Sequence, residues 1–354
     1  MEEKDIMMRI DAAFDAHALT ATDIARLAGH AEALGIDGLW THETAHDPFL
    51  PLALAAGHST RLELGTSVAV AFARSPVVLA HTAWDLARLS GGRFILGLGT
   101  QVKPHIERRF GMSWGPPAPR LREFVEAIRA VWRCWQEDAP LNYRGRFYTH
   151  TLMTPFFNPG PIPHPRVPIY IAGVNPVLCR LAGEIADGFH VHPCHTVRYL
   201  QEVVLPSLAR GLERAGRPRQ TVQVAVRVFA VAGRTAEERD ASRRWVRQQI
   251  AFYASTPTYR VVLATHGWEE VAEQLSRMAR HGRWEEMGDL ITDEILDAVA
   301  VTGDGDDLAA RTAARYAGLA DRIGYYLPFV PGQDDERWRA LVAAARPSDS
   351  SYPS

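Results

Sequence analysis

Arg93-Phe94-Ile95-Leu96-Gly97-Leu98-Gly99-Thr100 is a short apolar run that ends in small and polar residues. Runs of the same kind occur at 6–14, 38–41, 62–70, 167–172, 188–192, 222–232 and 321–328. Amphipathic helical patterns separate them. Strand and helix alternating about eight times predict a parallel sheet closed on itself, an α/β (β/α)8 TIM barrel with insertions. In such barrels chemistry sits where the strands end, so the residues just after each run are the ones to search.

The 354-residue length suits one barrel domain, 1–346, better than two small domains. Insertions are expected at about 140–167, rich in proline and aromatics, and at about 250–290. Residues 347–354 read as a disordered tail. A hydrophobic fraction of 47% supplies a sizeable core, and a net charge of −2 offers no basic field for nucleic acid or membrane. No apolar run approaches the roughly 18 residues a bilayer span needs. The charged start Met1-Glu2-Glu3-Lys4-Asp5 has no signal-peptide pattern. Cys134, Cys179 and Cys194 form no spaced framework and read as reduced thiols of a cytoplasmic protein.

Helix starts are marked clearly. Thr20 with Asp23 forms a capping-box pattern, Ser75-Pro76 opens a second helix, and Asn175-Pro176 opens a third. The last follows Ile169-Tyr170-Ile171-Ala172-Gly173, so a strand runs through a glycine turn into a helix N-terminus. That arrangement suits either a phosphate or an ordinary capped helix. Gly65-Thr66-Ser67 inside the third run suggests a bulge or a close backbone approach to a ligand.

Histidines gather at two strand ends: His42 and His46 with Glu43 and Asp47, then His190, His192 and His195. His190 and His192 share one face of a strand, as metal ligands in barrels often do. A metal-dependent hydrolase is therefore one reading, although no second His-x-His stands near the first strand. Residues that merely line a polar mouth, and a general acid or base, are the others.

Taken in order, Gly38-Leu39-Trp40-Thr41-His42-Glu43, Leu64-Gly65-Thr66-Ser67-Val68, Gly92 to Gly99, Pro168 to Gly173 and Leu181 to Gly188 resemble the luciferase-like monooxygenase superfamily. The similarity is to its branch of reductases and dehydrogenases that use the deazaflavin coenzyme F420. The resemblance implies a ring lying across the barrel mouth, backed by a bulge with a cis peptide that matches Ser67-Val68. It places Thr100 near the ring edge and Ala172, Gly173 and Asn175 near the cofactor's phosphate. It also implies a homodimer and a small-molecule substrate.

Sugar-phosphate dehydrogenases of that branch carry Asp-His after the second strand and a glutamate after the fourth. Here His42-Glu43 and Gln101-Val102-Lys103 stand there, with Glu107 the nearest acid downstream. Their acid/base roles therefore do not carry over. His42, Glu43 and His192 are the expected movers of the proton that accompanies hydride, and no metal ligand is assigned. Tyr253, Tyr259 and the aromatics of the two insertions would suit an apolar or cyclic substrate. The alternatives are an FMN-dependent two-component monooxygenase, the metal-dependent hydrolase, and a non-catalytic binding barrel.

Overall fold

A computed structural model describes residues 8–346 apart from 18 and 304. The expected strand start at Ile6 and the tail 347–354 lie outside the described residues. Eight parallel strands form the barrel: β1 Arg9–Ala13, β2 Gly38–Thr41, β3 Glu63–Thr66, β4 Phe94–Gly99, β5 Ile169–Gly173, β6 Gly188–Val191, β7 Gln223–Val231 and β8 Arg322–Tyr325. Each pairs with the next, and β8 closes the ring by pairing with β7 and with β1 (Arg9↔Arg322, Ile10↔Ile323). Strands covered on both faces need apolar residues throughout, which is why each reads as a continuous run rather than an alternation.

The third run differs from one continuous strand. It breaks after Thr66 and resumes at Ala69–Val70, and the Ser67–Val68 peptide between the two pieces is cis. The bulge and the cis bond both fall where the resemblance placed them.

The caps form as their sequences require. The Thr20 hydroxyl accepts from the Asp23 amide and the Asp23 carboxylate accepts from the Thr20 amide, opening the helix Ala21–Ala33. Ser75 caps Pro76–Leu89 and Asn175 caps Pro176–Ile185.

Two regions were not fully legible. A short strand, Ala300–Thr302, pairs with the upper end of β7 and lay hidden within a stretch read as helical. Residues 140–167 hold a small hairpin, Tyr143–Arg144 against Thr149–His150. The Glu123 carboxylate accepts from the Arg146 and Phe147 amides, while Trp84 donates to the Gly160 carbonyl. These contacts tie the hairpin to the first turns of the helix Pro117–Glu137 and the following segment to the helix Pro76–Leu89.

The barrel interior is layered. At its amino-terminal end Arg322 is fully buried and forks onto Asp11, with Nε–Oδ2 2.9 Å and Nη2–Oδ1 2.6 Å, and also binds Glu63. Above it Ala13, Trp40, Ile95, Tyr170 and Ala225 pack as a cluster separate from the main core, which lies between strands and helices. Inward positions recur every second residue. The next inward layer, at the carboxyl ends, is therefore Asp15, His42, Ser67, Gly97, Ala172, His192 and Arg227, with Tyr326 from the end of β8.

Candidate active site

That layer divides in two. The ends of β3 to β5 supply small residues, and the ends of β1, β2 and β6 to β8 supply polar ones. On the small side, a Cβ added at Gly99 would stand 2.5 Å from Val68 Cγ2. One added at Gly97 would stand 1.7 Å from the Thr66 carbonyl oxygen. Both positions must therefore stay bare, and the result is a shallow bed with the cis Ser67–Val68 unit against β4. Ser67, Val68, Thr100, Ala172 and Gly173 are each partly open to solvent, whereas Gly65, Trp40 and Tyr170 one layer down are closed. Beyond the bed the chain turns sharply at Gln101, whose φ is 56°.

Asn175 accepts from the Leu178 amide at 3.0 Å and sits at the N-terminus of a ten-residue helix. Pro176 has no N–H, the Leu178 amide is taken by the Asn175 side chain and the Cys179 amide by the Asn175 carbonyl, so within that first turn the Val177 amide is the one without a recorded partner. Gly173 itself is required by packing: a Cβ there would stand 2.4 Å from Leu178 Cβ.

On the polar side His42 is partly open. Burial and the charge of Arg227 hold its pKa below the ordinary histidine value, against a smaller upward pull from Asp15. The ring is therefore neutral at pH 7. His192 is neutral too, with its pKa pushed down to about 3 by burial and by His195. Its Nδ1 accepts from the Cys194 amide at 3.1 Å, which leaves the ring proton on Nε2. Tyr253 and Tyr259 pack on the His192 ring, with centroids 4.5 and 4.6 Å away. The Tyr253 hydroxyl meets that of Tyr326 at 2.6 Å. The insertion at 250–290 thus does reach the mouth.

Glu43 occupies a different position. Its Oε2 accepts from the Val70 amide and from Arg74, each at 2.7 Å, and its side chain is only 6% exposed. Its own amide donates to the Val68 carbonyl. Through Oε2 the carboxylate braces the bulge.

His190 and His195 serve the interior. His190 lies edge-on to Trp40 at 4.9 Å and beside Tyr170, and burial, then Arg227 and Arg322, bring its pKa to about 3. His195 is held between the His192 carbonyl and the Tyr316 hydroxyl. Among the described residues no group of three or more His, Cys, Asp or Glu stands close enough to hold a metal ion.

Sequence reasoning missed Arg227 and Tyr326. The signal for Arg227 was present: it is the one charged residue within the apolar run Val224-Ala225-Val226-Arg227-Val228-Phe229, at an inward position. Two clefts at the other end of the barrel, of about 500 and about 340 Å3, are lined by Arg129, Asp187 and Arg217 and by Arg9, Asp37 and Asp321. They lie at the strands' amino ends, where barrel residues serve stability rather than catalysis.

A closed barrel with a bulged third strand and a two-sided mouth is the architecture of a luciferase-like enzyme. Residues 6–322 match the sequence profile of the luciferase-like monooxygenase family, and the chain belongs to that family. An uncharacterized protein of Mycobacterium tuberculosis is 50% identical over 303 residues, covering 85% of this chain and 89% of that one. The 5,10-methylenetetrahydromethanopterin reductase of Archaeoglobus fulgidus is 31% identical over 290 residues, covering 79% and 82%. Among solved structures, the coenzyme F420-dependent tetrahydromethanopterin reductase of Methanopyrus kandleri aligns with a TM-score of 0.74 at 22% identity, over 96% of this chain and 97% of that one. The oxygenating constituent of 3,6-diketocamphane monooxygenase from Pseudomonas putida, in complex with FMN, aligns at 0.65 and 16%, over 96% and 97%. Family members thus use F420 or FMN, and the chain is an enzyme. No helix among the described residues is long and apolar enough to cross a membrane.

Proposed function

We propose that this enzyme transfers a hydride between coenzyme F420 and a small organic substrate at the carboxyl end of the barrel. The observation that carries this reading is the bare bed formed by Gly97, Gly99 and the cis Ser67–Val68 unit beside the helix N-terminus that Asn175 caps. A flat ring and its attached phosphate need those two features side by side. The relatives named for F420 and for reduction support the choice of cofactor.

Ser67, Val68 and Thr100 would hold the ring, and Ala172, Gly173 and the helix start at Asn175 would hold the phosphate. When bound, a deazaflavin supplies a carbon centre that gives or takes a hydride and reacts poorly with oxygen. The protein's own work is to fix substrate against that centre at roughly 3–3.5 Å and to move one proton. Neutral, partly open His42 is suited to take up or release that proton. The Nε2–H of His192 is a donor that orients a substrate oxygen. Tyr253, Tyr259 and Tyr326 wall the polar side and displace water. Glu43 holds the bulge in place through Arg74 and the Val70 amide, which makes it a positioning residue.

Quenching of the nine tryptophans during separate titrations with F420 and FMN tests the reading. Micromolar F420 binding with much weaker FMN binding is expected. The reverse preference would make the chain a reduced-flavin monooxygenase instead.

A further inference from the structure

Arg227 is the least satisfied group in the barrel. It is 9% exposed, yet neither Nη1 nor Nη2 has a hydrogen-bond partner. The acids below it are committed elsewhere: Asp11 to Arg322, and Glu63 to Arg322 and Arg9. Asp15 is exposed and accepts from the His17 amide. His42, His190 and His192 are neutral. Among the described residues no carboxylate forms an ion pair with Arg227, although the charge of Asp11 acts on it from the layer below.

A buried guanidinium is tolerated only when something pairs with it, and its planar fork fits a carboxylate in two-point contact. The guanidinium packs beside bare Gly324: a Cβ on that residue would stand 2.0 Å from the Asp11 carbonyl oxygen, and Nη1 lies 3.4 Å from the same point, in ordinary van der Waals contact. Above it the ring of Tyr326 packs 4.9 Å from Phe229, and Tyr253 and Tyr259 stand alongside. A cation at the base of an aromatic wall is the complement of an anion attached to an apolar body.

We propose that Arg227 is the recognition group for a carboxylate on the substrate, so that the substrate is an organic acid with an apolar or cyclic body. The proposal rests on the reading that the mouth is the catalytic site. A permanent anion is required because a carbonyl dipole leaves the charge unbalanced. The carboxylate is a handle and does not react. It sets the substrate between His42 and the tyrosines, while the phosphate of the cofactor belongs to the helix N-terminus after β5.

The test uses the purified full chain without cofactor, with benzoate as probe and benzamide as its uncharged counterpart, followed by calorimetry. Benzoate is expected to bind at least tenfold more tightly than benzamide. R227Q should erase that preference. R227K, which keeps the charge but not the fork, should retain part of it and covers the case in which R227Q fails to fold. Equal binding of benzoate and benzamide, or benzoate binding unchanged in R227Q or R227K, would overturn the proposal. A final titration adds F420 to the benzoate complex. Retention of benzoate agrees with a substrate subsite, and its stoichiometric displacement would assign the anion position to the cofactor and overturn the substrate reading. Because F420 binding alone is measured separately, failure of the cofactor assignment and failure of the Arg227 assignment give different results.

Discussion

Replacing Glu43 by glutamine separates its two possible roles. As the structure stands, the carboxylate makes a 2.7 Å ion pair with Arg74 and a 2.7 Å hydrogen bond from the Val70 amide. Glutamine keeps an oxygen for the amide but loses the charge. A fully buried pair costs about 3–5 kcal/mol when one partner is removed, and an exposed pair about 0–1. Here the side chains are 6% and 20% exposed, and Arg74 retains only the more distant Asp47 at 3.5 Å. A destabilisation of about 2 kcal/mol follows, lying between those limits.

A double-mutant cycle with Arg74→Met, read by urea denaturation, should give a coupling energy of about 1–2 kcal/mol. F420 affinity should weaken in both single variants, because Val70 and Val68 carry the bulge behind the ring. The turnover number at saturating cofactor and substrate should change by less than about tenfold, since no proton passes through this carboxylate. A coupling below about 0.5 kcal/mol with turnover reduced by about 10²–10⁴, the usual cost of losing a general acid or base, would refute the brace and restore Glu43 as a proton carrier.

Gly99→Ala should drive a methyl group into Val68 and cost about 1–3 kcal/mol of stability, with at least a tenfold loss of F420 binding; unchanged binding by fluorescence titration would remove the bed from the cofactor site. Stability should fall with acid across the window from about pH 6.5 to about 3. His190 and His192 at about 3, and His195 at about 4, are depressed in the folded chain, so the unfolded state takes up the protons first. Urea midpoints at pH 7 and pH 4.5 check this, and equal midpoints would contradict the burial of these rings. His42→Ala should slow turnover by about 10²–10⁴ while leaving the F420 affinity within about threefold, as steady-state kinetics beside the titration would show.

The eight strands were legible because a parallel barrel imposes a repetitive demand: apolar on both faces, then small or polar at the mouth. Asn175-Pro176 and Thr20 with Asp23 were legible because capping is local chemistry. The strand Ala300–Thr302 was not, since three residues against the end of β7 carry too little periodicity to stand out between helices. The hairpin within 140–167 was hidden for the same reason: two-residue strands are held by Glu123 on a distant helix, not by their own pattern. Glu43 follows β2 directly, as its place in the sequence indicated. Which way its carboxylate turned depended on Arg74, thirty-one positions away, and no local rule carries that information.

The division of the mouth explains why the charged residue of β7 stands where it does. Inward positions on β3, β4 and β5 are Ser67, Gly97, Gly99 and Ala172, which leave a planar ring nowhere to be blocked and nothing to titrate against it. Inward positions on β2, β6 and β7 are His42, His192 and Arg227, two rings held neutral by burial and one cation that stays charged, with a pKa still near 10. A second carboxylate in this layer would neutralise Arg227 at rest, and would also raise the pKa values of His42 and His190. Asp11 and Glu63 are paired one layer lower, on Arg322, and Asp15 in this layer is exposed, which limits both effects. The same arrangement that leaves Arg227 unpaired therefore keeps His42 in the neutral form a proton carrier needs, so the anion subsite and the proton path are two results of one charge placement.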